Sequence, residues 1–239
     1  QRRSKFKMTI KINGVDYTFK TSFAELTVNE YLEVSKYSLL PVAERVAKFT
    51  GIPLEILNGI SLDNFTNIAQ SVSFIEQTEI LNALAESFEG KDVGLESFDK
   101  IEKAKNLIRK SNLTDAIIEV AELYTGEEIN GGELLKHWHK CNHYITSLQG
   151  FFKRFESLSL HEYTDEEIEA GVEDLERFKH YPIVFKIGKE RAMSNDEVLA
   201  MPAIEVYTEL LYDYERSQYE QRYSQIIRQQ QEHANKLAQ

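Results

Sequence analysis

Three histidines and the single cysteine of the chain stand at alternating positions: His137, His139, Cys141 and His143. Imidazole and thiolate groups are the side chains that zinc prefers. On a β-strand, alternating residues point to the same face, so all four could bind one ion. On an α-helix each two-residue step turns about 200°, which separates His137 and Cys141 from His139 and His143. The metal-binding hypothesis therefore depends on the secondary structure of this segment.

The surrounding pattern indicates a helix. Apolar side chains recur at alternating steps of four and three residues, which is the spacing of one helical face. They are Leu134, Trp138, Cys141, Ile145, Leu148, Phe152 and Phe155. Because Cys141 belongs to this stripe and a structural zinc site needs four ligands, we predict a core helix over 134–155 and no metal or other cofactor. A His/Cys metal-binding domain stays an alternative.

Other patterns do not indicate a catalytic centre. Glu166, Glu169 and Glu173 could form a general acid and base, but that chemistry needs carboxylates in different environments, and these share one acidic, solvated stretch. The scattered glycines match neither a phosphate-binding loop nor a nucleophile elbow. We therefore expect a protein that is not an enzyme.

The composition limits the classes of partner that the protein can bind. With 28 basic and 39 acidic residues the formal net charge is −11, which argues against nucleic acid as the principal partner. No apolar run is long enough to span a membrane, and a lone cysteine fits the cytoplasm. Residues 1–20 contain six basic residues and one acidic residue, and residues 162–176 contain eight acidic residues and no lysine or arginine. These two segments are either a mobile arm and a solvated helix face, or docking surfaces for other proteins.

The N-terminal region predicts a β-hairpin. Asn13 and Gly14 are the pair that best supplies the positive φ angles of a two-residue type I′ turn. The resulting register pairs Ile12 with Val15, Ile10 with Tyr17 and Met8 with Phe19. All of these apolar side chains then lie on one face, which must pack on helices or on another chain.

The rest of the chain predicts helices. Thr27 with Glu30, Thr164 with Glu167, and Ser194 with Glu197 are spaced as capping boxes at helix starts; only the segment 181–187 is ambiguous between strand and buried helix.

We therefore predict a mainly α protein, similar to a helical bundle, with a small N-terminal β-hairpin. The predicted regions are 1–90 (hairpin and short helices), 96–223 (helices organised on the 134–155 helix) and 224–239 (a polar helical extension). One continuous domain is the alternative.

The C-terminal helix is rich in tyrosine. Five tyrosines fall within about 17 residues, more than one buried stripe requires, and tyrosine is enriched at protein interfaces. The candidate partner-binding residues are Tyr207, Tyr212, Tyr214, Tyr219 and Tyr223, and ordinary packing of the helix is the alternative.

Two stretches resemble bacteriophage tail-assembly proteins. The first is Met8-Thr-Ile-Lys-Ile-Asn-Gly-Val-Asp-Tyr-Thr-Phe-Lys, followed by Phe23-Ala-Glu-Leu-Thr-Val-Asn-Glu-Tyr-Leu; the second is Glu197-Val-Leu-Ala-Met-Pro-Ala-Ile-Glu-Val-Tyr with the helix after it. The resemblance implies a non-enzymatic chaperone-like protein that binds phage tail or other virion subunits in the host cytoplasm, and self-association is left open. The middle of the chain is longer than in a simple tail-assembly chaperone, so a structural virion component (baseplate, neck or packaged protein) is the alternative.

Overall fold

The predicted fold class is confirmed. The computed structural model describes residues 7–111, 113–159 and 165–237, and these form a mainly α structure with one two-stranded antiparallel sheet. The strands are β1 (Lys7–Ile12) and β2 (Val15–Lys20). The helices are α1 (Val28–Ser35), α2 (Val42–Thr50), α3 (Leu54–Gly59), α4 (Leu62–Val72), α5 (Thr78–Leu84), α6 (Phe98–Lys110), α7 (Leu113–Thr125), α8 (Leu134–Arg154), α9 (Asp165–Glu169), α10 (Tyr181–Arg191), α11 (Asn195–Ala200) and α12 (Ala203–Leu237). Short 3-10 turns lie at Phe23–Glu25, Ser73–Glu76, Val93–Leu95, Glu156–Ser159 and Val172–Phe178.

The hairpin has the predicted register. Ile12 pairs with Val15, Ile10 with Tyr17 and Met8 with Phe19. The turn residues Asn13 and Gly14 both have positive φ, 51° and 85°, as a type I′ turn requires. Phe19 is buried in a core cluster with Val46 and Ile52, so the apolar face packs on the chain's own helices.

Two of the predicted capping boxes are confirmed. In α1 the backbone N–H of Thr27 donates to the carboxylate of Glu30 at 2.8 Å, and the Thr27 hydroxyl accepts from the Glu30 N–H at 3.3 Å. Ser194 and Glu197 repeat this arrangement at the start of α11, at 2.7 and 3.3 Å. Each satisfies two amide groups that a helix start leaves unpaired. The third predicted box, at Thr164, lies outside the described residues.

The helix α8 is present as predicted, but at three of the seven positions of its stripe the buried residue is the preceding one. His137, Tyr144 and Phe151 are buried, whereas Trp138 is half-buried. The buried line runs through Leu134, His137, Cys141, Tyr144, Leu148, Phe151 and Phe155. This line also alternates steps of three and four, so periodicity alone did not separate it from the more apolar line beside it.

The ambiguous segment 181–187 is helical and belongs to α10. Pro182 stands in the first turn of this helix, where the missing N–H would have had no intrahelical partner. Val184 and Ile187 are its buried apolar residues.

Contacts divide the chain into two compact units. The first contains Gln1–Gly90 and Asn106–Thr146, and the second contains Lys91–Lys105 and Ser147–Gln239. The predicted regions 1–90, 96–223 and 224–239 stay a prediction about folding domains.

The start of α12 is fixed by backbone hydrogen bonds within the second unit. The N–H of Ala203 donates to the carbonyl of Glu96 at 2.8 Å, and the N–H of Phe98 donates to the carbonyl of Met201 at 2.8 Å. These bonds join the first turns of α6 and α12, and so fix the position of the N-terminal end of α12.

Candidate protein-binding surfaces

The helical structure of α8 separates the four metal-ligand residues. His137 and Cys141 are buried, whereas His139 is half-buried and its Nε2 lies 3.1 Å from the carbonyl oxygen of Asn82. The ring of His143 lies edge-on to Tyr144 at 4.9 Å. Among the residues that the structure describes, no three His, Cys, Asp or Glu side chains come together as a metal site would need.

The buried members of this cluster have perturbed pKa values. Burial raises the pKa of the Cys141 thiol to about 12. Burial also lowers the pKa of His137, and the neighbouring positive charges of Lys140 and Lys136 lower it further. Both groups are therefore neutral near pH 7, and a thiol that stays protonated is a poor nucleophile and a poor metal ligand.

The two charged segments are only partly described. In the basic segment, Lys7 and Lys11 are exposed and Lys20 forms an ion pair with Glu30. In the acidic segment Glu169 is exposed, whereas the side chains of Glu166 and Glu173 lie outside the described part of the chain. Their role as docking surfaces stays a prediction.

The five tyrosines occupy different environments, and Tyr207 is in the core. Its ring packs against Phe151 and Phe155 with centroids 5.1 and 5.2 Å apart. Its hydroxyl donates a 2.8 Å hydrogen bond to the buried carboxylate of Glu102. Tyr207 therefore has a structural role and is not part of the candidate contact surface.

The next tyrosines form an exposed face on α12. Tyr212, Tyr219, Tyr223 and Ile226 are 64, 59, 54 and 52% exposed, and Tyr214 is half-buried on another side. The four exposed residues are separated by seven, four and three positions, so they share one side of the helix. We call them the α12 face. Large apolar side chains aligned in this way on a protein surface mark a contact site.

Charged residues lie within and beside the α12 face. Arg216 pairs with Glu220 at 2.9 Å, and Asp213 pairs with Lys186 of α10. Glu215 and Arg222 form no ion pair with any residue that the structure describes. Two opposite charges beside the face are thus available to a partner.

A second candidate surface is a groove in the first unit that the sequence did not indicate. It has a volume of about 650 Å³ and is lined mostly by apolar residues of α1, α2 and α4. Representative lining residues are Val34, Val42, Val46, Phe49, Phe65 and Ile75. Val42 shares a helical face with Val46 and Phe49, but it is 50% exposed at the groove. The volume and the apolar lining of the groove suit a ligand or an inserted side chain.

One charged residue of the groove connects three of its elements. The guanidinium of Arg45 pairs with Glu76 at 2.9 Å and donates to the carbonyl of Ser38 at 2.9 Å. This residue joins α2 to the turn after α1 and to the 3-10 turn that follows α4. The side chain of Arg45 therefore links these three elements at the groove.

Comparisons with known proteins leave the chain without an assigned family: no family model, curated protein or solved structure matches it. No helix in the described part of the chain has the length and apolar character that crossing a bilayer requires.

Proposed function

We propose that this protein is a non-enzymatic bacteriophage protein that binds tail or other virion subunits during assembly. The observation that carries the proposal is the α12 face, where Tyr212, Tyr219, Tyr223 and Ile226 remain more than half exposed. Tyrosines of this kind offer a large contact area at low entropy cost together with a polar tip. The resemblance of residues 8–32 and 197–207 to phage tail-assembly proteins supplies the biological setting.

The groove supports a second contact. Its apolar lining and its volume of about 650 Å³ suit one or two large side chains of an inserted helix or strand. We therefore propose that the groove and the α12 face both bind proteins.

The test is affinity capture of the tagged full-length chain from infected host cells, with identification of the captured proteins and of the proteins in purified particles. Capture of tail subunits without incorporation into particles indicates an assembly factor. Incorporation at fixed copy number indicates the alternative, a structural virion component. Failure to capture any phage subunit, together with absence from particles, would overturn the proposal.

Two matched pairs of variants locate the contacts. Val42→Asp places a charge in the groove, and Leu62→Asp places the same charge at an exposed position outside it; both residues begin a helix, where aspartate is tolerated. Deletion of residues 219–239 removes most of the α12 face, whereas deletion of 230–239 leaves it intact. We expect only the first member of each pair to reduce capture. Zinc analysis of the same purified protein tests the metal-binding alternative.

A further inference from the structure

We infer that the partner of the α12 face is α12 of a second copy of this chain, bound in antiparallel orientation. The inference rests on the proposed function, because it takes α12 as a protein-binding helix: a second copy covers the α12 face in the free protein, and a virion subunit replaces that copy on binding. Five observations on α12 support it: the spacing of its exposed residues, the position of Arg216, two unpaired charges, a shallow depression, and the exposed area.

The spacing is that of a coiled-coil seam. From Tyr212 the positions 212, 216, 219, 223 and 226 follow steps of four and three, which keeps one stripe of a helix facing a partner helix. At 1.5 Å per residue the stripe is about 21 Å long. From Glu215 to His233 only Gln218 and Ile227 are partly buried, so this length of helix has room for a neighbour.

The position of Arg216 decides the orientation. It is the one charged residue within the stripe. In a parallel pair, residues at the same position meet, and Arg216 would face its own copy. In an antiparallel pair centred between Ser217 and Gln218, each Arg216 faces Tyr219 of the second copy, and a guanidinium on a tyrosine ring is a favourable cation–π contact.

The same register pairs the free charges. Glu215 and Arg222 each stand one residue before a position of the stripe. In an antiparallel pair such residues lie on the same flank, so Glu215 of each copy meets Arg222 of the other. These are the two flanking charges without an ion pair among the described residues. On the other flank Asp213 approaches Glu220 of the second copy, but both carboxylates are already paired within their own chain, with Lys186 and Arg216.

A depression beside Tyr212 receives the end of the stripe. It has a volume of about 520 Å³, lies along α12 towards its N-terminus, and is lined by Arg191, Ile204, Glu205, Thr208, Glu209 and Tyr212. In the antiparallel register Ile226 of the second copy lies over this depression. Each of the four exposed residues of the face then lies against the second copy.

The area is sufficient for a weak dimer. A large aromatic side chain can bury 150–250 Å², so three tyrosines more than half exposed, with Ile226 and the flanking stems, supply roughly 500 Å² per copy. Two copies bury about 1,000 Å², which is the lower end for specific interfaces. We expect a dissociation constant on the order of 10 µM.

Sedimentation equilibrium of the purified full-length chain over a concentration series tests the inference. Glu215→Arg places arginine opposite arginine in two symmetric pairs, so we expect dimerisation at least about tenfold weaker. Arg222→Glu should do the same, and the double variant should restore wild-type affinity. Gln221→Arg, which adds a positive charge on the far side of α12, should leave the affinity unchanged.

Other outcomes overturn the inference. A chain that stays monomeric at several times the expected dissociation constant has no such partner. A parallel pair would place Glu215 near Glu220 of the second copy, so Glu215→Arg would then strengthen dimerisation. Circular dichroism of each variant shows whether it is folded. Because no phage protein is present, failure here leaves the capture of virion subunits as a separate test of the proposed function.

Discussion

Tyr207→Phe tests whether Tyr207 is part of the core or of a binding surface. The substitution keeps the ring, which packs between Phe151 and Phe155, and removes only the hydroxyl that donates to Glu102 at 2.8 Å. Glu102 is 7% exposed, so water cannot easily replace the lost donor. We expect the free energy of unfolding to fall without a change in dimerisation.

The expected size follows from the charge of the acceptor. Hydrogen bonds to ionised groups contribute about 1.5–3 kcal/mol, roughly twice as much as neutral ones. In a chain of this length that corresponds to a fall in melting temperature of roughly 3–12 °C. If the charge of Glu102 matters, Tyr207→Phe should cost only about 0.5–1.5 kcal/mol in a Glu102→Gln background.

Urea unfolding followed by far-ultraviolet circular dichroism measures these differences. Tyr219→Phe is the matched control, because it removes the hydroxyl of a tyrosine that is 59% exposed, and we expect a change below about 0.5 kcal/mol. Equal stability of Tyr207→Phe and wild type would refute the assignment of Tyr207 to the core, as would a loss of dimerisation in a variant that remains fully folded.

Three further predictions concern α8 and its neighbours. Burial lowers the pKa of His137, so below the unfolded value of about 6.5 the unfolded chain takes up a proton that the folded chain does not, and stability against urea falls. His137→Gln, unlike exposed His233→Gln, should reduce this loss of stability between about pH 7.5 and 5.5, by at most about 1.4 kcal/mol per pH unit. Gly90→Ala would place a methyl group 2.2 Å from an imidazole of α8, and we expect thermal unfolding to show a loss of about 1–3 kcal/mol, whereas Gly150→Ala should be neutral or stabilising. The thiol of Cys141, with its pKa of about 12, should react with a disulfide reagent near pH 8 roughly a thousandfold more slowly in the folded chain than in urea.

Features set by neighbouring residues were predictable from the sequence. The hairpin register depends only on the turn at Asn13 and Gly14 and on alternation in the flanking strands. The start of α1 depends on Thr27 and the residue three positions later. In both cases the interacting groups are close in sequence, so no knowledge of the tertiary structure is needed.

The buried face of α8 needed more than local information. Trp138 is more apolar than His137, which made it the better core residue by type. The structure buries His137 instead, because its ring lies against Gly132, where a Cβ atom would be 2.7 Å away. Trp138 remains half-buried, and its indole N–H donates to Asn82 at 2.7 Å. Contacts with distant segments therefore selected between two lines of equal periodicity.

The tyrosines of α12 show the same limit. By residue type and spacing, Tyr207 and Tyr219 are equally good candidates for a partner-binding surface, since both lie on one helix. The structure separates them because Tyr207 meets Glu102, more than a hundred positions away in sequence, whereas the helix around Tyr219 meets no other part of the described chain closely enough to bury it. Whether each tyrosine is buried depends on how the helix packs in the tertiary structure, and residue type alone does not determine that.

A protein partner would stabilise the exposed half of α12 as a helix. A helix of about 20 residues is marginal in water without tertiary packing. Beyond Tyr214 the described stabilising contacts include two pairs at i, i+4, Arg216 with Glu220 and Arg228 with Glu232, each worth about 0.3–0.5 kcal/mol. Such pairs supply far less free energy than a buried apolar face would. In the proposed dimer the tyrosines and Ile226 supply that face, so we expect the order of this helix to depend on binding.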